Sequence, residues 1–317
     1  MSITIIDEKQ LFDKLLVQSN SYFDEYHAFY SSWFGGVVKN PRMMLIPIDD
    51  HMVHRGDGIF EAMKALDRSV YLFEEHLDRL FLSAEKIALE IPLSYDELKQ
   101  IVIDTLRVAD QNEAIIRIFI SRGPGSFSVN PYETVGSQIY VAVTTLSQPD
   151  IEKYDSGVRI GLSTIPVKPS WLAQIKSCNY LPNVLMKKET VDRGLDYIIG
   201  ANDGGYITES ATENIIIVDS SGTLVHPSLD NILKGTMMIR ACELARENGI
   251  KTASRIIAIN ELLSANEAMV TGASMNVLPV VEFEGRIIGN GRPGLIAKKL
   301  NTLIKQDIQL KVRGTSY

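Results

Sequence analysis
The chain has 317 residues, 45% of them hydrophobic and 22% charged, with a formal net charge of −7. A chain of this length buries roughly three quarters of its unfolded surface and ordinarily divides into two domains. The acidic balance, with Lys and Arg scattered, excludes a general phosphate-backbone footprint; the distant Cys178 and Cys242 frame neither a disulfide scaffold nor a zinc site.

The N-terminal "MSITIIDEKQLFDKLL" mixes acids into its apolar residues and does not read as a signal peptide. No apolar run approaches the roughly 18 residues of a membrane span. The expectation is a soluble cytoplasmic protein that binds neither nucleic acid nor membrane. Residues 7–27 read as one amphipathic helix, with Leu11, Leu15 and Phe23 at helical spacing. "MMLIPIDD" and "SVYLF" read as short strands, and between them "HRGDGIFEAMKAL" is a Gly-rich turn leading into another strand. In "FEEHLDRLFLSAEKIALEI" the spacing predicts a helix whose apolar face is Leu77, Leu80, Ala84, Ile87 and Ala88. His76, Arg79 and Ser83 lie along one flank of that face, where a polar row can reach into a cleft.

"AIIRIFIS" and "QIYVAVTTL" are strands joined by the loop "RGPGSFSVNPYE", and "SQPDIEKYDSG" (147–157) reads as a linker. Strands "VRIGLSTI", "YIIGAN", "NIIIVD", "TLVHP", "AMVTGA" and "VLPVVEFEG" follow, with a helix after residue 176, another over 235–248 and a last one over Pro293–Ile304. The fold class is α/β (α+β type): two mixed α/β domains, an N-terminal one over 1–148 and a C-terminal one over 149–317.

Within "AQIKSCNYLPNVLMKKET", Lys187 and Lys188 read as solvated helix residues, but Lys176 stands at a strand-to-helix junction with an apolar approach. Pro182 suits the first turn of the helix that follows. An amine there points into a cleft, where desolvation lowers its pKa and makes it nucleophilic. Glu209, in "YITESATENIIIVD", reads either as a turn carboxylate or as a buried acid facing a cation. Gly235 and Thr236 open a helix, and Thr271, Gly272, Ala273 and Ser274 follow a strand; both are places where backbone N–H groups can hold an anion. Arg79 is a phosphate partner by charge and position, or else a surface ion pair with Glu75 or Glu85. "GPGSFS" lacks the third Gly of a dinucleotide loop, "TGASMN" lacks the second Gly of a hydrolase elbow, and the five histidines are not at metal spacing. One cofactor uses all of these parts: pyridoxal phosphate needs a lysine, an acid at its pyridine nitrogen and an anion cup.

With "RGDGIFEAMK", "HLDRLFLSAEKI", "IKSCNYL", "TESATENIIIV", "ILKGTMM" and "VTGASMNVLPV" in this order, residues 29–310 resemble the class IV aminotransferases, fold type IV of the pyridoxal-phosphate enzymes. The resemblance implies a D-amino-acid aminotransferase-like fold with the cofactor at the domain interface. It implies that Lys176 binds pyridoxal 5′-phosphate covalently, that Glu209 pairs with the ring nitrogen and that Leu233 packs on the ring. Arg79, Gly235, Thr236, Met237, Gly272, Ala273 and Ser274 would hold the phosphate, and Tyr180 resembles the tyrosine that bonds the ring hydroxyl. The sequence departs from the family pattern where Thr236, Met237 and Met238 replace the usual Ile-Thr-Arg and where Ala273 replaces a Thr.

Substrate contacts implied by the resemblance fall on Phe60, Lys64, Arg117, Arg122, Phe127 and Val129. "GIFEAMKA" and "ILKG" look like the D-amino-acid type, whereas "GSFSVNP" is closer to the branched-chain pattern. The implied activity is transfer of an amino group between a branched-chain L- or a D-amino acid and a 2-oxo acid. Aminodeoxychorismate lyase and a non-catalytic binding protein on the same fold are the alternatives. The family further implies a homodimer, with the 123–131 loop reaching the partner's site.

Overall fold
The computed structural model describes residues 3–313. The first half holds α1 (Glu8–Val17), β1 (Tyr26–Ser31), β2 (Gly36–Val38), α2 (His51–Arg55), β3 (Gly58–Leu66), β4 (Ser69–Val70), α3 (Phe73–Lys86), α4 (Tyr95–Ala109), β5 (Ala114–Ser121) and β6 (Gln138–Thr144). Then follow α5 (Glu152–Ser156), β7 (Val158–Leu162), α6 (Ser170–Ala173), α7 (Leu181–Asp192), β8 (Tyr197–Ala201), β9 (Ile207–Ser210), β10 (Asn214–Val218) and β11 (Leu224–His226). The chain continues through α8 (Thr236–Glu247), β12 (Thr252–Ser254), α9 (Ile259–Leu263), β13 (Glu267–Gly272), β14 (Asn276–Phe283), β15 (Arg286–Ile287) and α10 (Leu295–Arg313).

The first sheet is antiparallel, in the order β2-β1-β6-β5-β3-β4. Period-two alternation sorts its side chains. Along β5, Ile116, Ile118 and Ile120 are buried in one cluster with Leu77 and Leu80 of α3 and Leu98 and Val102 of α4. Each such fully buried aliphatic side chain contributes about 1.5–3 kcal/mol. Ile115, Arg117 and Phe119 point the other way and line a cleft.

The second sheet runs β12-β11-β10-β13-β14-β7-β8-β9, and β9 returns to β10 through Asn214 opposite Glu209, closing a ring of six strands. Ile160, Ile199, Ile215, Ile217, Val270 and Leu278 fill one core. On the other face Ile216, Met269 and Val277 pack against Met238 of α8 and Leu300 and Ile304 of α10. The fold is therefore α/β with one antiparallel and one mixed sheet, and no helix among the described residues is long and apolar enough to cross a membrane.

Several sequence expectations are corrected. The helix expected over 7–27 is α1, capped by Asp7, followed by a 3-10 turn (Ser21–Glu25) and then a strand. The "SNS" triplet interrupts it, and α1 buries no residue. "MMLIPIDD" forms no strand: a 3-10 turn at Pro41–Met43 ends there, and Pro47 lacks the N–H a ladder needs. "SVYLF" keeps only two strand residues, because Leu72 turns into the left-handed region (φ 57°) to start α3. The 147–157 segment contains α5, and the last helix runs to Arg313. The helix α4 was unforeseen, although Ser94 and Glu97 form a capping box at its start.

Candidate active site
A cleft of about 1100 Å³ lies between the two sheets. Phe60, Ala62, Ile115, Arg117 and Phe119 line it from the first; Asn214, Leu233, Gly235, Thr236 and Thr271–Met275 line it from the second. Lys176 lies on its wall. The segment around it adds to the edge of β3: the Phe60 N–H donates to the Lys176 carbonyl (2.9 Å), and the Cys178 N–H to that of Gly58 (2.8 Å). Ile175 is buried in the first core, which leaves its neighbour Lys176 to face the cleft. The ammonium sits 4.7 Å from the Phe60 ring centroid. Burial, and then the nearby Arg79 charge, push the Lys176 amine down to about 8, while Glu61 and Glu209 oppose them.

Glu209 is placed by the closure of the strand ring, opposite Asn214. The Leu233 N–H donates to its Oε2 (3.0 Å). Burial pushes this carboxyl up to about 7, against the Leu233 bond and the charges of Lys168, Lys176 and Arg79. Glu209, Lys168, Lys176 and Tyr180 border one small recess. Lys168, which sequence reasoning missed, stacks over the Tyr180 ring at 4.7 Å and is itself pushed down by burial. The Tyr180 ring also meets Phe60 edge-on at 5.0 Å.

Arg79 is not the surface ion pair with Glu75 or Glu85. Its Nε and Nη2 donate to the two oxygens of Glu61, and its Nη1 to the Lys234 carbonyl (2.9 Å). Glu61 is fully buried and also meets His76 Nδ1 at 2.6 Å, while His76 Nε2 lies 3.1 Å from Thr236 Oγ1. Burial alone would raise Glu61, but Arg79 and His76 hold it down to about 2. Sequence reading found the α3 flank that carries His76 and Arg79; it missed Glu61, which occupies the other face of β3 from Phe60 and Ala62.

Two backbone features converge beside Arg79. A Cβ on Gly235 would lie 1.8 Å from Asn214 Oδ1, so only glycine fits there. Asn214 Nδ2 in turn donates to the Leu233 carbonyl (2.9 Å) and clamps the loop that opens α8. The turn at Thr271–Met275 faces this helix start across the cleft. The Thr271 hydroxyl is buried without a hydrogen-bond partner, the kind of group a ligand oxygen satisfies. Of the departing residues, Met238 points into the core behind α8, and Met237 is 2% exposed at the cleft edge. These donors, with the cradle at Gly235 and an amine facing a carboxyl, fit pyridoxal phosphate.

The family model described as "Amino-transferase class IV" matches residues 58–283. The chain belongs to the class IV aminotransferases. It is a transaminase, and its cofactor is pyridoxal 5′-phosphate. It is similar to a chloroplastic D-amino-acid transaminase of Arabidopsis thaliana, at 32% identity over 90% of this chain and 77% of that one. It is equally similar, at 32% over 84% and 92%, to a putative branched-chain-amino-acid aminotransferase of Methanocaldococcus jannaschii. In fold it resembles the branched-chain aminotransferase of Thermoproteus uzoniensis solved with norvaline: TM-score 0.81, 24% identity, 90% of this chain and 96% of that one.

The substrate residues suggested by class IV resemblance divide. Phe60 and Arg117 line the cleft, and Arg117 Nη1 donates to Thr144 Oγ1 (2.8 Å). Lys64 shares the β3 face of Phe60 and Ala62 but lies beyond the cleft, hydrogen-bonded to Asn276. Arg122 is engaged elsewhere, by Asp57 (3.0 Å) and the carbonyls of Ala88 (2.7 Å) and Ile87 (3.1 Å). Phe127 and Val129 are 61% and 82% exposed on the loop after β5. Lys187, read as solvated, lines the cleft rim, while Lys188 pairs with Asp192.

Proposed function
We propose that this transaminase acts on amino acids with apolar side chains, and that Lys176 carries the proton transfer. The observation behind this reading is the convergence of Lys176 and the Arg79–Gly235–Thr271 cup on one cleft, with Glu209 in an adjoining recess that shares Lys176, and with Phe60, Ala62, Ile115 and Phe119 forming the wall from the first sheet. Bound pyridoxal phosphate supplies the electron sink that lets the Cα proton leave. Lys176 would hold it covalently at rest and, once displaced, Lys176 Nζ takes the proton from the substrate Cα and returns it as general acid. Glu209 would hold a proton on the ring nitrogen; facing that cation would lower its own pKa from about 7 and favour the charged pair. Arg79, fixed by Glu61, and the N–H groups at Thr236, Met237 and Gly272–Ser274 would bind its phosphate. Tyr180 would hold the ring hydroxyl, and Leu233 would cover the ring.

Arg117 meets no acidic side chain within ion-pair distance among the described residues, and burial lowers its pKa. A desolvated guanidinium without a counter-charge favours a substrate carboxylate there. Relatives named as D-amino-acid and as branched-chain enzymes are equally similar, and the donor panel below assigns the hand of the substrate. We also infer domains meeting near residue 148, a cytoplasmic location, and a homodimer. Support for the homodimer is the apolar loop after β5, where Phe127, Val129, Tyr132 and Val135 are 61–91% exposed and suit a partner's surface.

A panel of D- and L-amino acids with 2-oxoglutarate, run beside aminodeoxychorismate, tests the reading. It expects 2-oxo acids from apolar donors of one hand. Pyruvate from aminodeoxychorismate alone supports the lyase reading, and no conversion of any donor supports a binding protein.

A further inference from the structure
Lys168 sits in the loop that joins β7 to α6. This loop is fixed against the second sheet. A Cβ on Gly200 of β8 would lie 2.5 Å from Val167 Cγ1, so the residue before Lys168 is seated on that glycine. Ile165 packs against Met186 of α7, Ile198 of β8 and Ala211. The Ala173 N–H donates to the Pro169 carbonyl (2.9 Å) and closes the loop onto α6. Lys168 is thereby presented to the recess of about 20 Å³, room for roughly one water, that it borders together with Glu209, Tyr180 and Asn183. Lys168 and Glu209 border this recess and not the main cleft, whereas Lys176, Tyr180 and Leu233 border both. The Lys168 ammonium therefore reaches Glu209 from outside the cleft.

Two groups in the recess lack protein partners. The Lys168 ammonium lies over the Tyr180 ring and forms no hydrogen bond or ion pair among the described residues. Asn183 Oδ1 is buried without a hydrogen-bond partner, while Asn183 Nδ2 donates to the Ala211 carbonyl (2.5 Å). A donor and an acceptor so placed can share one bridging water. The other cations near Glu209 are committed elsewhere: Arg79 to Glu61, and Lys176 to its covalent role. Glu213 adds a negative charge at the same recess. Of the charges that favour an ionised Glu209, Lys168 is the largest.

We propose that Lys168 is a positioning residue: its ammonium keeps Glu209 ionised and so keeps the proton they share on the ring nitrogen of bound cofactor. This rests on the pairing of Glu209 with that nitrogen. The proton has two places to sit, the nitrogen or a Glu209 oxygen. Burial of the carboxyl favours the oxygen, and a cation behind the carboxylate favours the nitrogen.

The test uses the full-length holoenzyme loaded with pyridoxal phosphate carrying ¹⁵N in the ring, read by NMR near neutral pH. The variants are Lys168→Met, Lys168→Arg, Glu209→Gln and the Lys168→Met, Glu209→Gln pair. Wild type and Lys168→Arg are expected in the protonated range. Lys168→Met is expected to move the resonance toward the unprotonated range and to slow the first half-reaction about tenfold, the equivalent of about one unit in the carboxyl's proton affinity. In the Glu209→Gln background, Lys168→Met is expected to change neither readout, because it acts through the carboxylate. Three results overturn the role of Lys168: a Lys168→Met resonance that stays with wild type, a Lys168→Arg resonance that moves as far as Lys168→Met, or an undiminished effect in the Glu209→Gln background. A resonance that Glu209→Gln itself leaves unmoved refutes the pairing of Glu209 with the nitrogen, and this proposal with it.

Discussion

Arg79 and Glu61 meet through two parallel hydrogen bonds, Nε to Oε1 and Nη2 to Oε2, each 2.7 Å. Glu61 faces away from the cleft, so its part is to aim and hold the cation. Glu61→Gln leaves Arg79 buried without a counter-charge and is expected to cost about 3–5 kcal/mol of stability. Cofactor affinity, measured by equilibrium dialysis, falls with it. The pH dependence has a definite sign. A carboxyl held near 2 contributes stability that is full above its ordinary 4.5 and is lost as pH falls toward 2. Thermal melts across that window are therefore expected to fall less steeply for Glu61→Gln than for the wild type.

Glu209 and Leu233 are joined by a single N–H···O bond of 3.0 Å at the base of the recess. Glu209→Gln keeps the shape and removes the charge that holds a proton on the ring nitrogen. The expected result is a kcat lower by about 10²–10³-fold, the range for removing one group aimed at developing charge, with cofactor still retained by the cup. A variant that loses cofactor and activity together assigns Glu209 a packing role.

Gly235 has no room for a methyl group, because Asn214 Oδ1 occupies the Cβ position. Gly235→Ala is expected to destabilise by about 1–3 kcal/mol, as overpacking does, and to weaken cofactor binding by displacing the start of α8. Adding Asn214→Ser removes the clash. Recovery of the melting temperature without recovery of cofactor affinity would locate the second effect in the Asn214 clamp on Leu233.

The parts of this molecule carried by local pattern were legible in the sequence. The α3 stripe, the β-branched runs of β5 and β10, and the helix start after Gly235 each announce themselves within a dozen residues. Lys176 was legible because an apolar approach and a helix-starting Pro182 bracket it. What escaped depends on pairing between distant segments. Glu61 matters only because α3 lays Arg79 and His76 across β3. Of the residues assigned to substrate by motif, Lys64 bonds Asn276 and Arg122 bonds Asp57, partners far away in sequence, while Phe127 and Val129 lie on the exposed loop that the resemblance carries to a partner's site. The 3-10 turn at Ser21–Glu25 and the strand start at Tyr26 were hidden by reading residues 7–27 as one helix.

The Lys176 amine lies near pH 8, and it must be neutral to accept the Cα proton. Rate constants for the first half-reaction are therefore expected to rise with pH through about 8 and level off above it. Lys176→Arg, whose guanidinium stays protonated, is expected to lose about 10²–10⁴-fold at every pH, with no such limb.

Three lysines are depressed by burial, Lys64, Lys168 and Lys176, and the covalent role falls to Lys176 among them. Borohydride reduction of the holoprotein, followed by peptide mass spectrometry, separates them. A reduced pyridoxyl-phosphate adduct is expected on Lys176 alone, and absent from Lys176→Ala. An adduct on Lys64 or Lys168, or a protein that retains no cofactor, would contradict that assignment.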